Sequence, residues 1–463
     1  MRFRLILLLG LSFFSLRAQN QLNILQEQFP DQSLVVLQKS DSVVIHSAAE
    51  IYHYHTIKEQ VLHNVRPEVL NTSVSYDDFS PIQELDAYVT RTKSDGTIEK
   101  SNNVNKSYQN VMVSGIFYHD NKVIDISYPF FSIGTIATLS FKKHVTQPHF
   151  LNKFIFSSGY PTLQSKYSIY CHKSVDIGYT VFNNANLVFE KKDKGDYWLY
   201  QWEMKNIKPW KANNYREILE SEPHIIPRLK SIQTNQGEQT YLKDMNAFYS
   251  WLYNFIAPLK SPNSEMDALS AEITKGLNSE IEKLKAIYDW VQDNITYVAF
   301  EDGYNGFIPR KPADVCHKKY GDCKDMALLL YTLLQSAGIK ANVVWIGSDE
   351  IPYKIEEVLS PNVFNHMIAC ADINGTRYWL DATAKYLDYN ITSPFTQGKE
   401  GLVAIDKDNY EIVTLPITDK NINLVIDSID LSINEKQLVG HRTYQCFGYK
   451  KLDFLFDIYK LDE

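Results

Sequence analysis

The chain has 463 residues, 44% of them apolar and 22% charged, with a formal net charge of −8. That length predicts two or three domains, and the composition is that of a globular protein. An acidic chain without a Lys/Arg block has no long-range attraction for nucleic acid or anionic membrane, so neither is expected as a partner.

Residues 1–18 read as a secretory signal peptide. Arg2 and Arg4 precede the apolar run Leu5 to Phe14, and Ala18 offers a small residue for cleavage before Gln19. The run is too short to span a membrane, and no later segment reaches the ~18 apolar residues a spanning helix needs. No Cys follows the cleavage point, which argues against a lipid anchor. The expected product is exported, periplasmic or extracellular, without an integral membrane segment. Cleavage leaves 44 basic against 55 acidic residues, a net of −11.

From about residue 30 to 210, short period-two runs such as Ala87 to Arg91 and Val123 to Tyr128 are broken by turn residues, including Asp95-Gly96. The 30 Tyr and 23 Phe suit pleated surfaces. This predicts a β-rich, sandwich-like N-terminal domain over 19–225. His46, His53, His55 and His63 follow strand alternation and match no metal motif, so they are expected at surface or half-buried positions.

After Pro227 the texture becomes helical, at Tyr241 to Ile256, Met266 to Gly276 and Ser279 to Asn294. Ser279 and Glu282 form a capping box, and Ile281, Leu284, Ile287, Tyr288 and Val291 share one face. A strand at Ile295 to Phe300 and a Gly- and Pro-rich loop lead to Gly321-Asp322-Cys323-Lys324-Asp325. The apolar helix Met326 to Ser336 follows, then strands at Ala341 to Ile346, Asn365 to Ile373 and Thr376 to Thr383. These elements predict an α+β chain with a second domain over 226–415. The last stretch, 416–463, returns to β alternation. It is too short to bury its own core, so it docks on the preceding domains or begins an incomplete third domain.

Five cysteines (171, 316, 323, 370 and 446) form no disulfide framework, and an odd number leaves a free thiol. Cys323 sits where a Gly-containing turn enters a helix, with Asp322 as N-cap. Unpaired N–H groups and the positive helix end favour a thiolate there and can bind an oxyanion. The plain alternative is a small core residue. Downstream, Asn374-Gly375 is a favoured two-residue hairpin turn; it places Ile368 opposite Asp381 and His366 opposite Thr383. His366 and Asp381 are then diagonal neighbours on one face, ~7–8 Å apart at Cα. A carboxylate-bound His is the partner a thiol nucleophile needs, whereas a one-residue slip would separate the two.

These blocks, Gly321 to Asp325 before an apolar helix, Phe364-Asn365-His366-Met367, and Tyr378 to Thr383, resemble the transglutaminase-like (papain-fold) superfamily over roughly 240–415. The whole arrangement resembles bacterial envelope proteins in which a β-rich domain of unknown function precedes such a domain. The resemblance implies a Cys323–His366–Asp381 triad, a thioester intermediate and a protein or peptide substrate, with hydrolysis by a protease or amidase or transfer to an amine. It also makes Tyr297 a candidate oxyanion donor, although Tyr297 reads equally as a packed strand residue. No cofactor or metal is expected: Cys316-His317 with Cys323 suits no zinc spacing, and Asp406-Lys407-Asp408 lacks the glycine of a calcium loop. The alternative from another class is a non-catalytic envelope binding or assembly protein that keeps the fold.

Overall fold

The computed structural model describes residues 20–459 except 64–69, 94, 96, 111–115, 129–131, 262 and 302. Residues 1–18, read from sequence as a signal peptide, and Gly96 of the Asp95-Gly96 turn therefore lie outside the described residues. The chain is mixed α+β and divides into two compact units. One holds residues 1–113, 119–248 and 357–361, and the other holds 114–118, 249–356 and 362–463. Among the described residues, no helix is long and apolar enough to cross a membrane.

The first unit is built on an eight-stranded sheet. Its order is Val188–Lys194, Tyr197–Ile207, Thr162–His172, Leu34–Ile45, Ile51–Val61, Ile136–His144, Ile82–Thr92 and Ile98–Ser101. Leu34–Ile45 and Thr162–His172 run parallel, and the other neighbours are antiparallel. Period-two alternation puts Ile51, Ile57 and Val61 on one face of their strand. Ile51 joins a core with Tyr167, Trp202 and the Ile225 and Leu229 side chains of a smaller sheet. Ile57 and Val61 join a second core with Val74, Ile124 and Ile126 of a three-stranded sheet. Two small sheets thus cover the same face of the large one, a layered β arrangement.

The histidines depart in part from expectation. His46 is exposed, but His53 is buried at 7% exposure. His53 and His55 flank Asp41, with Nε2 2.6 Å from Oδ2 and Nδ1 2.5 Å from Oδ1. Phe141 of the adjacent strand meets His53 edge-on and stacks on the half-buried His55. Among the described residues, no group of three or more His, Cys, Asp or Glu is placed to hold a metal ion.

In the second unit a five-stranded antiparallel sheet runs Thr376–Leu380, His366–Ile373, Lys340–Ile346, Glu400–Ala404 and Tyr410–Thr414. The helix Cys323–Ser336 packs on it beside the helices Ser264–Ile273, Glu280–Asn294 and Pro312–Lys318. Ser279 caps Glu280–Asn294 through a complete capping box. The apolar face of that helix, Leu284, Ile287, Tyr288 and Val291, meets Leu329, Leu330, Leu333, Ala369 and Leu380 in one core. Each fully buried Leu or Ile there contributes about 1.5–3 kcal/mol of transfer free energy.

Several elements differ from the sequence expectation, among them the strands Glu400–Ala404 and Tyr410–Thr414 and the helix Tyr215–Ser221. The Gly/Pro-rich loop contains the helix Pro312–Lys318, with Pro at its first turn, where the missing N–H costs nothing. The final stretch forms the expected strands as a hairpin, Val425–Asn434 with Gln437–Cys446, and then a helix, Tyr449–Tyr459.

Candidate active site

Cys323 is the first residue of a 14-residue helix whose N-cap is Asp322. The Asp322 side chain accepts from Asp325 N at 3.3 Å, and the Asp325 side chain accepts from Asp322 N at 3.1 Å. That reciprocal box fixes where the helix starts and so where the thiol points. Gly321 is required by packing: a Cβ there would lie 2.9 Å from Asp325 Cβ and 3.2 Å from Val315 Cγ1. Cys323 is half-buried, whereas Cys171, Cys316 and Cys370 are buried, and all five cysteines are free thiols. Cys316 packs its sulfur 3.9 Å from Met266 Sδ.

The hairpin has the register expected from its turn: Ile373 pairs with Thr376, Cys370 with Trp379 and Ala369 with Leu380. Asn374 and Gly375 both adopt positive φ, 50° and 79°, as a tight hairpin turn demands. In that register His366, at the start of one strand, and Asp381, just past the end of the other, converge. His366 Nε2 lies 3.0 Å from Asp381 Oδ2, and the His366 side chain is 9% exposed. Cys323 also acts on His366, as a smaller influence that favours the imidazolium.

Burial alone would lower the His366 pKa. The Asp381 charge and hydrogen bond, with a smaller contribution from Cys323, overcome it and push it up to about 10. Asp381 shows the complement: burial opposes ionisation, but His366, then Thr383, hold its carboxyl below the usual range. The structure therefore favours an imidazolium–carboxylate pair behind the thiol.

Several groups that hold this arrangement escaped the sequence reading. Asp381 Oδ1 accepts from Thr383 N at 3.2 Å and Thr383 Oγ1 at 2.6 Å, and the Asp381 carbonyl accepts from Tyr288 OH at 2.9 Å. Phe395 packs edge-on against the His366 ring, centroids 5.1 Å apart. Asn365 ties the strand to the preceding loop, accepting from Ser348 N at 2.8 Å and donating to Ser348 Oγ at 2.9 Å. Arg310 grips Asp325, its backbone N 2.6 Å from Oδ1 and its Nε 2.8 Å from Oδ2. A Thr two residues after the Asp, inside a block already singled out, was a visible signal; Phe395 and Arg310 had none.

Tyr297 lies on a two-residue strand paired in parallel with Tyr320–Gly321, opposite Gly321, which precedes the Cys323 helix by two residues. Its side chain is 40% exposed, so it is not a packed core residue. Asp406 folds into a turn, its Oδ1 accepting from Asp408 N and Asn409 N.

Residues 267–366 match the model of the transglutaminase-like superfamily. They form a transglutaminase-like domain. Residues 49–211 match the domain of unknown function DUF3857, so the two follow each other in the order the sequence suggested. The transglutaminase-like match includes Cys323 and ends on His366; Asp381 lies just beyond it. Among solved structures, a provisionally named protease of Parabacteroides distasonis ATCC 8503 is similar, with a TM-score of 0.61 and 16% identity. The alignment covers 83% of this chain and 72% of that one, a likeness of fold. A provisionally named cysteine protease of Cytophaga hutchinsonii (14% identity, 65% of this chain and 91% of that one) and an M1 zinc metallopeptidase of Deinococcus radiodurans (7%, 42% of each) both superpose at only 0.23. Scores that low carry no argument. No curated protein matches the chain.

Proposed function

We propose that this is an exported transglutaminase-like thiol enzyme that acts on amide or peptide bonds through a thioester. The observation that carries the reading is His366 held 3.0 Å from Asp381 Oδ2, with the half-buried Cys323, at a capped helix start, acting on the same ring.

In this reading the Cys323 thiolate attacks the acyl carbon, and the oxyanion is met by N–H groups at the start of the Cys323 helix. As the tetrahedral adduct collapses, the C–N bond breaks and the His366 imidazolium gives its proton to the departing amine. The acyl group stays on sulfur. Neutral His366 then takes a proton from the second nucleophile. Water yields a carboxylic acid and a free thiol; a primary amine yields a new amide. Asp381 stabilises the imidazolium and fixes its tautomer throughout. In this reading Tyr297, whose strand pairs with Gly321, would help bind the oxyanion.

The test uses a proteome-derived peptide library with and without a fluorescent primary alkylamine. The reading predicts new carboxyl termini or incorporated amine with the wild-type protein and a loss of at least ~10³-fold with Cys323→Ala. Equal turnover by Cys323→Ala and wild type would overturn it.

A further inference from the structure

The first turn of the Cys323 helix holds an arrangement that the thioester reading does not use. Asp322, Lys324 and Asp325 surround the nucleophile in sequence, and all three are buried, at 2%, 6% and 1% exposure. Acidic residues suit a helix N-terminus by themselves, because they meet its positive end. Two unneutralised carboxylates would nevertheless oppose a third negative charge on the sulfur between them, and burial strengthens that opposition.

Each carboxylate has its own cation. Lys324 Nζ bonds Asp322 Oδ2. Arg310 binds Asp325 with a backbone N–H and two guanidinium N–H groups, and its guanidinium also sits 4.8 Å over the Tyr320 ring. The first turn and its clasp therefore sum to zero charge before the thiol ionises. Among the described residues, His366, backed by Asp381, is a titratable group that acts on the thiol, and Tyr297 and Tyr320 lie on the adjoining short strands.

We propose that Lys324 and Arg310 are positioning residues of the thiol. They neutralise the two buried carboxylates that define the helix start, so that the capping geometry is kept and a thiolate can still form beside it. This rests on the reading of Cys323 as nucleophile. Asp322 and Asp325 supply the geometry; Lys324 and Arg310 remove its electrostatic cost.

The experiment measures the rate of Cys323 carbamidomethylation by iodoacetamide against pH in the full chain, by peptide mass mapping, with circular dichroism as the check on fold. Arg310→Met and Lys324→Met should each raise the midpoint of the profile by roughly one pH unit, so that the rate at lower pH falls about tenfold. Asp325→Asn leaves a cation without its anion and should move the midpoint the other way. Opposite shifts are the signature of charge balance, since lost geometry alone slows all three variants alike. Where Arg310→Met does not fold, Arg310→Lys decides: it keeps the charge and loses the fork, and it should keep the wild-type midpoint. Wild-type midpoints in folded Arg310→Met and Lys324→Met would overturn the proposal, as would a shift of Asp325→Asn in the same direction as Arg310→Met. Slow alkylation of wild-type Cys323 would instead refute the nucleophile reading itself.

Discussion

Asp381→Asn isolates the part of the account that is purely electrostatic. Asn has nearly the same shape and can still accept from Thr383, which now lies 2.6 Å from Oδ1 through its hydroxyl. What is lost is the charge behind His366. The imidazole is raised from 6.5 to about 10 against the lowering effect of burial. At 1.36 kcal/mol per pKa unit, that rise corresponds to roughly 5 kcal/mol in favour of imidazolium. Burial acts the other way, so the favourable part comes from Asp381 and, to a smaller degree, Cys323. Without the carboxylate charge, burial dominates, His366 is neutral at pH 7, and the thiolate loses its counter-ion. Loss of the orienting carboxylate in a comparable Ser-His-Asp triad lowers kcat about 10⁴-fold, so a fall of ~10²–10⁴ in the Cys323 alkylation rate is expected at pH 7. Stopped-flow or mass-mapped iodoacetamide labelling measures it directly. A rate within twofold of wild type, in a variant with native circular dichroism, would refute the reasoning.

Further outcomes follow from the same geometry. Gly375→Ala places a Cβ at φ 79° and should destabilise the hairpin by about 1–2 kcal/mol, read as a lower midpoint of urea unfolding. Gly321→Ala forces a Cβ to 2.9 Å from Asp325 and should cost about 1–3 kcal/mol while slowing Cys323 alkylation, because it disturbs the helix start. Leu329, fully buried in the core that carries the Cys323 helix, should cost about 2–5 kcal/mol when cut to Ala. His366 has a raised folded-state pKa, so its contribution to stability is complete below pH 6.5 and is lost as pH rises through about 10. The gap in unfolding free energy between wild type and His366→Asn should accordingly narrow between pH 7 and 10.5.

Much of this site was legible because its signals are local. A capping box needs only Ser279 and Glu282, a helix start needs Gly321 and Asp322, and Asn374-Gly375 alone fixes which residues oppose each other in the hairpin. From that register the approach of His366 and Asp381 follows. What stayed hidden depends on distant chain. Arg310 lies in a loop with no periodicity, and only the fold brings it to Asp325. Tyr288 read as one more member of an apolar helix face, although its hydroxyl holds the Asp381 carbonyl. His53 shares its strand face with Ile51, Ile57 and Val61, and only the fold shows it buried against Asp41 of the neighbouring strand. The helix Tyr449–Tyr459 follows a long β-alternating stretch, and its aromatic residues suit either state.

The central claim is that His366 and the helix start make one thiol of five a nucleophile. The most direct measurement is the set of individual iodoacetamide labelling rates for Cys171, Cys316, Cys323, Cys370 and Cys446 in the folded protein at pH 7, repeated with His366→Asn. Cys446 is the useful control, because it is half-buried like Cys323 but sits on the C-terminal hairpin. Cys323 should react at least tenfold faster than Cys446, and His366→Asn should remove this lead while leaving Cys446 unchanged. Equal rates for the two in the wild-type protein, or a Cys323 rate indifferent to His366, would contradict it.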